Sequence, residues 1–340
     1  MTRTLPRVLV TGATGFVGRA LVARLLGDAL ALPVAALRSP LAYKPKASNS
    51  VSEVLVGPID GQTIWACALT GVDVVVHAAA RVHVMSDKST DPLAEFRRVN
   101  VAGTLNLAQQ AAASGVQRFV FVSSVKVNGE VTLPGQAFTE TDAPGPQDPY
   151  GQSKNEAELG LRQLAADTGL EVVIIRPPLV YGPGVKANFA ALIRAVQRGW
   201  PLPLGAVHNQ RSLVALDNLV DLIVTCLQHP AAANETFLAS DGQDLSTPEL
   251  VRGMARAAGV PARLWPVPVW ALQAAAVALG KGAAVQRLCD NLQVDISKAR
   301  NLLDWVPPVG MDEGLRQAMA ANGGLPIASQ VCARNGGFGG

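Results

Sequence analysis

Short apolar runs alternate with amphipathic stretches along the first half of the chain. The runs are continuously apolar, which is typical of strands buried on both faces of a sheet. They are RVLVTG (7–12), LPVAAL (32–37), DVVVHAA (73–79), RFVFVSS (118–124) and EVVIIRP (171–177). Helical spacing of apolar residues follows the first run and recurs at 99–115 and 153–169. This order predicts an α/β fold built on a doubly wound parallel sheet.

The pattern changes after about residue 178, where prolines gather in RPPLVYGPG, GWPLPLG and LWPVPVW. Short helices and strands follow one another there without the regular alternation that is typical of a parallel sheet. We therefore expect a nucleotide-binding domain over 1–178 and a smaller substrate-binding portion over 179–325. That portion would lie over the carboxyl edge of the sheet, where ligands of such folds bind. The glycine-rich stretch 326–340 is expected to be a frayed tail.

Composition limits the classes of partner. The chain has 340 residues, of which 49% are hydrophobic and 16% charged, so it can bury a large core and is not globally disordered. Its net charge is only +3 and its basic residues are dispersed, so the sequence shows no basic cluster of the kind that binds nucleic acid. The cysteines lie far apart (Cys67, Cys226, Cys289 and Cys332), which supports neither a zinc site nor a disulfide framework. Small molecules are the expected partners, with no metal.

The most membrane-like segment is VWALQAAAVALG (269–280). Twelve helical residues cannot cross a hydrocarbon core of roughly 30 Å, so no membrane span is expected. We interpret the segment as a packed helix, with a membrane-surface or dimer contact as the alternative. The N-terminus runs directly into a strand pattern without an apolar signal region, which makes the cytoplasm the expected location.

A glycine-rich turn joins the first strand to the first helix in TGATGFVG (11–18). Gly12 would permit the tight turn, Gly15 would let the backbone approach a pyrophosphate, and Gly18 would allow close packing of helix and strand. The helix start would offer N–H donors and the positive end of its dipole. The sequence therefore predicts a dinucleotide contact by this turn, including Thr14, Phe16 and Val17. An ordinary tight turn is the alternative.

The ends of the next two strands bear on the identity of the dinucleotide. A carboxylate at the end of the second strand would favour NAD, but this chain has Arg38 there, which suits a 2′-phosphate. Arg38 therefore favours NADP(H) over NAD(H), unless it faces solvent. In the third strand, Ala78 and Ala79 are small enough for a dinucleotide to pass. His77 is interpreted as a core histidine rather than a base.

A serine and a Tyr-x-x-x-Lys pair follow the glycine turn along the chain. Ser123 and Ser124 end the fourth run, and Tyr150 and Lys154 lie one helical turn apart in DPYGQSKNEAE (148–158). With the glycine turn and RPPLVYGPG, this order resembles the extended short-chain dehydrogenase/reductase family over about residues 6–320. The particular resemblance is to its sugar-nucleotide epimerase, dehydratase and reductase branch. It implies a Rossmann-like fold and, in the family's manner, a homodimer.

Hydride transfer at a secondary alcohol requires a proton to move at the same oxygen. A free tyrosine has a pKa near 10, so a neighbouring cation must lower it, and Lys154 at i+4 shares a helix face with Tyr150. The resemblance also assigns Lys154 to the nicotinamide ribose and Ser124 to the substrate oxygen, with Ser123 as the fallback. It assigns Asn100 to support of the active-site backbone, for which a helix cap is the alternative.

The resemblance further implies how the sugar nucleotide is held. Arg211 and Arg287 fall near the family's two arginines on the substrate diphosphate, and either could instead be a surface ion-pair partner. Family members often carry an asparagine where this chain has Pro178 or Leu179. That contact is therefore missing or moved to Asn188.

The resemblance also limits which reactions are expected. Val125 and Lys126 stand where 4,6-dehydratases of the family carry an Asp-Glu pair, so dehydration is not expected. Arg38 favours an NADPH-dependent 4-ketosugar reductase acting on a UDP-linked sugar for surface polysaccharide. The alternative is a UDP-hexose or UDP-N-acetylhexosamine 4-epimerase with tightly bound NAD, which would use the same serine, tyrosine and lysine. A non-catalytic nucleotide-sensing module and a reductase of small carbonyl compounds also remain open.

Overall fold

The structure is a computed structural model that describes residues 5–40, 51–82, 91–278, 280 and 282–322, without the side chains of 283 and 284. The predicted tail 326–340 lies outside these residues. In the described part the strands, numbered along the chain, are β1 (Arg7–Thr11), β2 (Leu32–Leu37), β3 (Ser52–Leu55), β4 (Val74–His77), β5 (Arg118–Val122), β6 (Glu171–Arg176), β7 (Leu179–Tyr181), β8 (Arg211–Ala215), β9 (Thr236–Leu238) and β10 (Asp244–Leu245).

Seven of these strands form one parallel sheet in the order β3-β2-β1-β4-β5-β6-β9. The strand order reverses direction between β1 and β4, which makes this the switch point where doubly wound folds bind ligands. In the register, Thr11 pairs with His77 and His77 pairs with Phe121, so β1, β4 and β5 end side by side. The predicted Rossmann-like fold is confirmed.

Helices cover both faces of the sheet. They are α1 (Phe16–Gly27), α2 (Ala66–Leu69), α3 (Pro92–Phe96), α4 (Gly103–Ala113), α5 (Pro149–Thr168), α6 (Ala187–Gln197), α7 (Leu216–Gln228), α8 (Thr247–Ala258), α9 (Val269–Ala278), α10 (Gly282–Cys289), α11 (Ser297–Leu303) and α12 (Met311–Asn322). Side chains of a strand alternate between faces. Val8 and Val10 therefore pack into a cluster with α1 and α7, whereas Leu9 packs into a second cluster with α4 and α5.

The C-terminal portion has its own three-stranded sheet in the order β10-β8-β7 and its own apolar cluster. This cluster includes residues of α6, α8 and α12. The boundary that we expected at residue 178 divides the strands incompletely, because β9 returns to the edge of the large sheet beside β6.

The helix predicted at 269–280 is present as α9, and it is packed on one side only, where Val269 and Leu272 contact the apolar cluster of the C-terminal portion. Within α9 only Ala276 is buried, and the side chains of Trp270 and Val277 are 74% and 73% exposed. None of the helices that the structure describes is long and apolar enough to span a membrane.

Candidate active site

The glycine turn lies at the switch point of the large sheet. Gly12 has a φ of +67°, and a Cβ there would lie 2.9 Å from the backbone nitrogen of Ala79. A Cβ at Gly18 would collide with the carbonyl oxygen of Gly12. Gly15 is the N-cap residue of α1 and has no side chain. The N–H groups in the first turn of α1 are therefore not hydrogen-bonded to a capping side chain. These features fit a pyrophosphate at the helix N-terminus.

A cleft of about 970 Å³ opens beside this turn. Six residues predicted to contact the cofactor line it, namely Gly12, Thr14, Gly15, Arg38, Ala78 and Ala79. The other predicted residues of the turn serve packing: Gly18 is buried, and Phe16 and Val17 lie against the core next to the sheet. The size and lining of the cleft fit a dinucleotide.

Arg38 follows β2, is exposed and lines the cleft together with Ser39. The sequence did not indicate that Arg98 also lines it. Arg98 donates to Glu95 at 3.0 Å and to Asp60 at 3.5 Å. Because Arg98 comes from the α3–α4 connection, only the folded topology brings it to this wall.

His77 is the core histidine that the sequence predicted. Its Nδ1 lies 2.8 Å from the Thr11 hydroxyl and its Nε2 lies 3.0 Å from the Thr104 hydroxyl. The Thr104 hydroxyl donates to the Asn100 carbonyl, so it accepts from Nε2–H. Burial, followed by the charge of Lys154, lowers the pKa of His77 to about 3. The imidazole is therefore neutral and joins Thr11 at the end of β1 to Thr104 in the first turn of α4.

Asn100 is buried in a π-helical turn, Arg97–Ala102, and it supports the backbone as predicted rather than capping a helix. Its Oδ1 accepts from the Arg81 backbone nitrogen at 2.8 Å, and its Nδ2 donates to the Arg81 carbonyl at 3.0 Å. The same Nδ2 donates to Ser153, whose hydroxyl donates to the carbonyl of Tyr150. Asn100 thus ties the wall of the cofactor cleft to the start of α5.

The two serines that end β5 have different surroundings. Ser123 is buried, and its hydroxyl donates to Glu158 at 2.5 Å. Ser124 is partly accessible at the start of the 3₁₀ turn Val125–Val127, and it hydrogen-bonds with the Tyr150 side chain. Of the two serines, Ser124, the first choice from the sequence, is therefore the one that is near the Tyr150 phenol, and its catalytic role stays a prediction.

Glu158 was not singled out in the sequence, although it lies one turn beyond Lys154 on α5. It forms a bidentate pair with the Arg176 guanidinium at 2.6 and 2.9 Å, and both side chains are buried. Arg176 also donates to Asn128 at 3.0 Å. This network lies directly behind Ser123 and holds the end of β5 against α5 and β6.

Lys154 is buried and Tyr150 is half-buried at the start of α5, whose N-terminus is capped by Asp148. The Lys154 ammonium donates to the Val122 carbonyl at 2.8 Å and lies 4.3 Å from the centre of the Phe121 ring. Burial lowers the pKa of Lys154 to about 7, partly opposed by Glu158.

The expectation that Lys154 lowers the pKa of Tyr150 is not met in this structure. Burial raises the pKa of Tyr150 to about 12, and the charge of Asp148 raises it further, while the hydrogen bond with Ser124 opposes both. The physical reason is that the Lys154 ammonium is directed to the end of β5 rather than to the phenol.

The predicted substrate residues lie in the C-terminal portion. Arg211 begins β8 and donates to the Asp290 carbonyl at 3.0 Å. Burial lowers its pKa, and the nearby positive charge of Arg287 on α10 lowers it too. The charge of Arg287 therefore acts on Arg211, and the two predicted residues lie in the same region of the C-terminal portion. Asn188 is exposed in the first turn of α6, and the structure shows no contact for it among the described residues that links it to the arginines.

The fold, the glycine turn and the Ser-Tyr-Lys arrangement together define a protein of the extended short-chain dehydrogenase/reductase class. A family model described as the NAD dependent epimerase/dehydratase family matches residues 8–239. The chain belongs to this family.

Individual relatives agree with this assignment. The chain is 49% identical over 326 residues to a UDP-glucose 4-epimerase of Vibrio cholerae, covering 94% of this chain and 96% of the relative. The solved complex of MoeE5 with UDP-glucose and NAD is similar, with a TM-score of 0.72, 27% identity and coverage of 93% and 98%. A UDP-glucose 4-epimerase of Thermotoga maritima with UDP-glucose has the same fold, with a TM-score of 0.73, 23% identity and coverage of 93% and 98%.

Proposed function

We propose that this protein is a UDP-hexose or UDP-N-acetylhexosamine 4-epimerase that keeps its NAD bound through the catalytic cycle. The observation that carries the proposal is near-full-length similarity to the Vibrio cholerae UDP-glucose 4-epimerase in a chain that has Ser124 just after β5, and Tyr150 and Lys154 in the first turns of α5. This conclusion replaces the 4-ketoreductase that Arg38 alone favoured.

The chain's own groups account for the proton transfer. The Tyr150 phenolate would take the proton of the C4 hydroxyl as the hydride leaves C4, and the phenol so formed would return that proton to the same oxygen after the sugar turns, while Ser124 holds this oxygen. When held in the cleft lined by Gly12, Gly15 and Ala79, the cofactor would supply reversible hydride transfer at C4 of the sugar. Lys154 would contact the ribose of that cofactor. Because burial keeps the Tyr150 phenol protonated, positive charge near it favours the form that accepts a proton.

The diphosphate of the substrate would be held by Arg211 and Arg287. Two guanidinium groups brought close together repel each other, and a bound diphosphate relieves that repulsion through charge-assisted hydrogen bonds. Such anchoring at the diphosphate leaves the sugar free to present either face. Asn188 stays a predicted contact for the nucleotide. We place the reaction in the cytoplasm and expect a homodimer, as the family resemblance implies.

The test is to purify the protein, release any bound nucleotide by denaturation and identify it by mass, and then to supply UDP-glucose without added cofactor. We expect NAD in the extract and UDP-galactose in the product mixture, or the corresponding N-acetyl pair. Tyr150→Phe should keep the NAD and lose the interconversion. An empty protein that consumes stoichiometric NADPH with a 4-keto sugar would contradict the proposal.

A UDP-linked 4-ketosugar reductase is the second candidate, and one observation favours it. Arg38 is exposed and lines the cofactor cleft at the end of β2, where a guanidinium can contact a 2′-phosphate. If this candidate is correct, Arg38→Ala should weaken NADPH binding by about tenfold or more with little change for NADH. Equal effects on both cofactors would remove the support for NADP(H).

A further inference from the structure

One surface of the C-terminal portion combines exposed tryptophans with arginines and lies outside the candidate active site. We call it the tryptophan face and define it by Arg198–Leu202, Arg263–Pro268 and the outer side of α9. We propose that the tryptophan face docks the protein on the surface of an anionic phospholipid membrane, as a peripheral contact rather than a span.

The helix α9 is apolar on two sides. Val269 and Leu272 face inward and pack against the apolar cluster of the C-terminal portion. Trp270, Ala274 and Val277 have the spacing of one helix face, and all three are exposed. Packing inside the chain therefore explains one side of α9 and leaves the other in water, where its exposed apolar area is unfavourable.

The exposed apolar area continues beyond α9. Leu202 pairs with the segment before the helix, since its N–H donates to the Arg263 carbonyl at 2.8 Å and its carbonyl accepts from the Trp265 N–H at 2.9 Å. This pairing brings the loop of Trp200 alongside the segment that leads to α9. Trp200 is 55% exposed and Trp265 is 60% exposed. Tryptophan is enriched at membrane–water interfaces, because its ring is apolar and its N–H is polar.

The charged side chains of the tryptophan face have one sign. The stretches 198–202 and 263–268 and the helix α9 contain Arg198 and Arg263 and no Asp or Glu. Arg198 and Arg263 are exposed in the tryptophan face itself, and the Arg198 guanidinium lies 5.3 Å from the centre of the Trp200 ring. Arginines beside interfacial tryptophans suit the phosphates of anionic lipids.

The positive charge of the tryptophan face also favours a lipid surface over a second copy of the chain as its partner. In a symmetric dimer through this face the same arginines would approach one another without opposing carboxylates, which is unfavourable. An anionic lipid surface accepts both the tryptophans and the arginines. The face adjoins the predicted diphosphate residues through α10, which follows α9 and carries Arg287. Docking would therefore set the substrate end of the molecule near the membrane.

The test is flotation of the full-length protein with vesicles of phosphatidylcholine alone and of phosphatidylcholine mixed with phosphatidylglycerol. We expect binding to the mixed vesicles only, with a blue shift of tryptophan fluorescence and loss of binding at high salt. Trp265→Ser/Trp270→Ser and, separately, Arg198→Gln/Arg263→Gln should each weaken binding by about tenfold or more. Ile64→Ser is the matched control, because Ile64 is 79% exposed in the cofactor half, and it should bind as the wild type does.

Three outcomes would overturn the proposal. The first is absence of binding to either vesicle by a folded wild-type protein. The second is binding that both double variants retain. The third is a concentration-dependent dimer, seen by analytical ultracentrifugation, that the tryptophan substitutions abolish, since a second copy would then occupy the face. If a double variant does not fold, Arg263→Gln alone, at an exposed position, serves the same comparison.

Discussion

Lys126 forms an ion pair with Asp148, the residue that caps α5 two positions before Tyr150. One Asp148 oxygen accepts from the Gly151 N–H at 2.7 Å, and the other accepts from the Lys126 ammonium. Lys126 also contacts Glu130 at 2.7 Å. Burial raises the pKa of Asp148, but the bonds from Lys126 and Gly151 outweigh it and hold the pKa below its usual value. Asp148 is therefore charged at neutral pH, and Lys126 offsets part of its effect on Tyr150.

Asp148→Asn should lower the pKa of Tyr150. Asparagine caps a helix about as well as aspartate does, so the start of α5 should persist while the negative charge near the phenol is removed. We expect the pH at which kcat reaches half of its plateau to fall by roughly half to one unit. The measurement is kcat against pH, with Asp167→Asn, an exposed position near the other end of α5, as the control for loss of a carboxylate. An unchanged profile would show that Asp148 does not act on Tyr150.

Lys126→Met should move the same profile in the opposite direction. Without the ammonium, the full negative charge of Asp148 acts on Tyr150 and raises its pKa further. Because the effect passes through Asp148, Lys126→Met should shift the profile of Asp148→Asn very little. A double-mutant cycle on the pH profile measures this coupling. Additive shifts in the double variant would mean that Lys126 acts on Tyr150 or on the substrate by itself.

Substitution of Ser124 should lower activity, whereas substitution of the adjacent Ser123 should lower stability. Ser124→Ala removes the hydroxyl that reaches Tyr150, and we expect kcat to fall by about 10²–10³ with little change in the free energy of unfolding. Ser123→Ala removes a buried donor to Glu158, and we expect a loss of about 1–3 kcal/mol of stability with kcat largely kept. Urea denaturation and steady-state kinetics on both variants check this. The reverse assignment of effects would make Ser123 the catalytic serine.

Arg176→Met should be strongly destabilising. It leaves the Glu158 carboxylate buried without its bidentate partner, which typically costs about 3–5 kcal/mol. Arg176→Met/Glu158→Leu removes both charges and should recover most of that loss. Denaturant titration of the single and double variants gives the comparison. If the double variant is no more stable than the single one, packing rather than charge dominates at this site.

Local patterns in the sequence predicted most of the large sheet. The run LPVAAL coincides with β2, because continuous apolar strands buried by helices on both faces have a distinct composition. β3 was not predicted, since its residues SEVL are half polar and the strand lies at the sheet edge. α9 was recognised as a helix but taken to be packed. Composition shows that a helix is apolar, whereas only the fold shows how much of it is covered.

The residues of the candidate site also fall into those that the sequence predicted and those that it did not. The glycine turn, Ser124 and the Tyr150–Lys154 pair are short-range motifs and were visible in the sequence. The Lys126–Asp148 pair joins residues far apart along the chain, and Arg98 reaches the cleft through tertiary structure. Such partners carry no local pattern. The direction of the Lys154 ammonium is likewise set by the Val122 carbonyl at the end of β5.

The central claim is that hydride leaves C4 and returns to it without exchange of the cofactor. The most direct measurement supplies UDP-glucose deuterated at C4 to the purified protein in ordinary water, without added nicotinamide nucleotide, and follows the product by mass spectrometry and NMR. We predict UDP-galactose that retains the deuterium at C4 over many turnovers. Loss of the label to solvent, or no product until NADPH and a 4-keto sugar are supplied, would contradict the account.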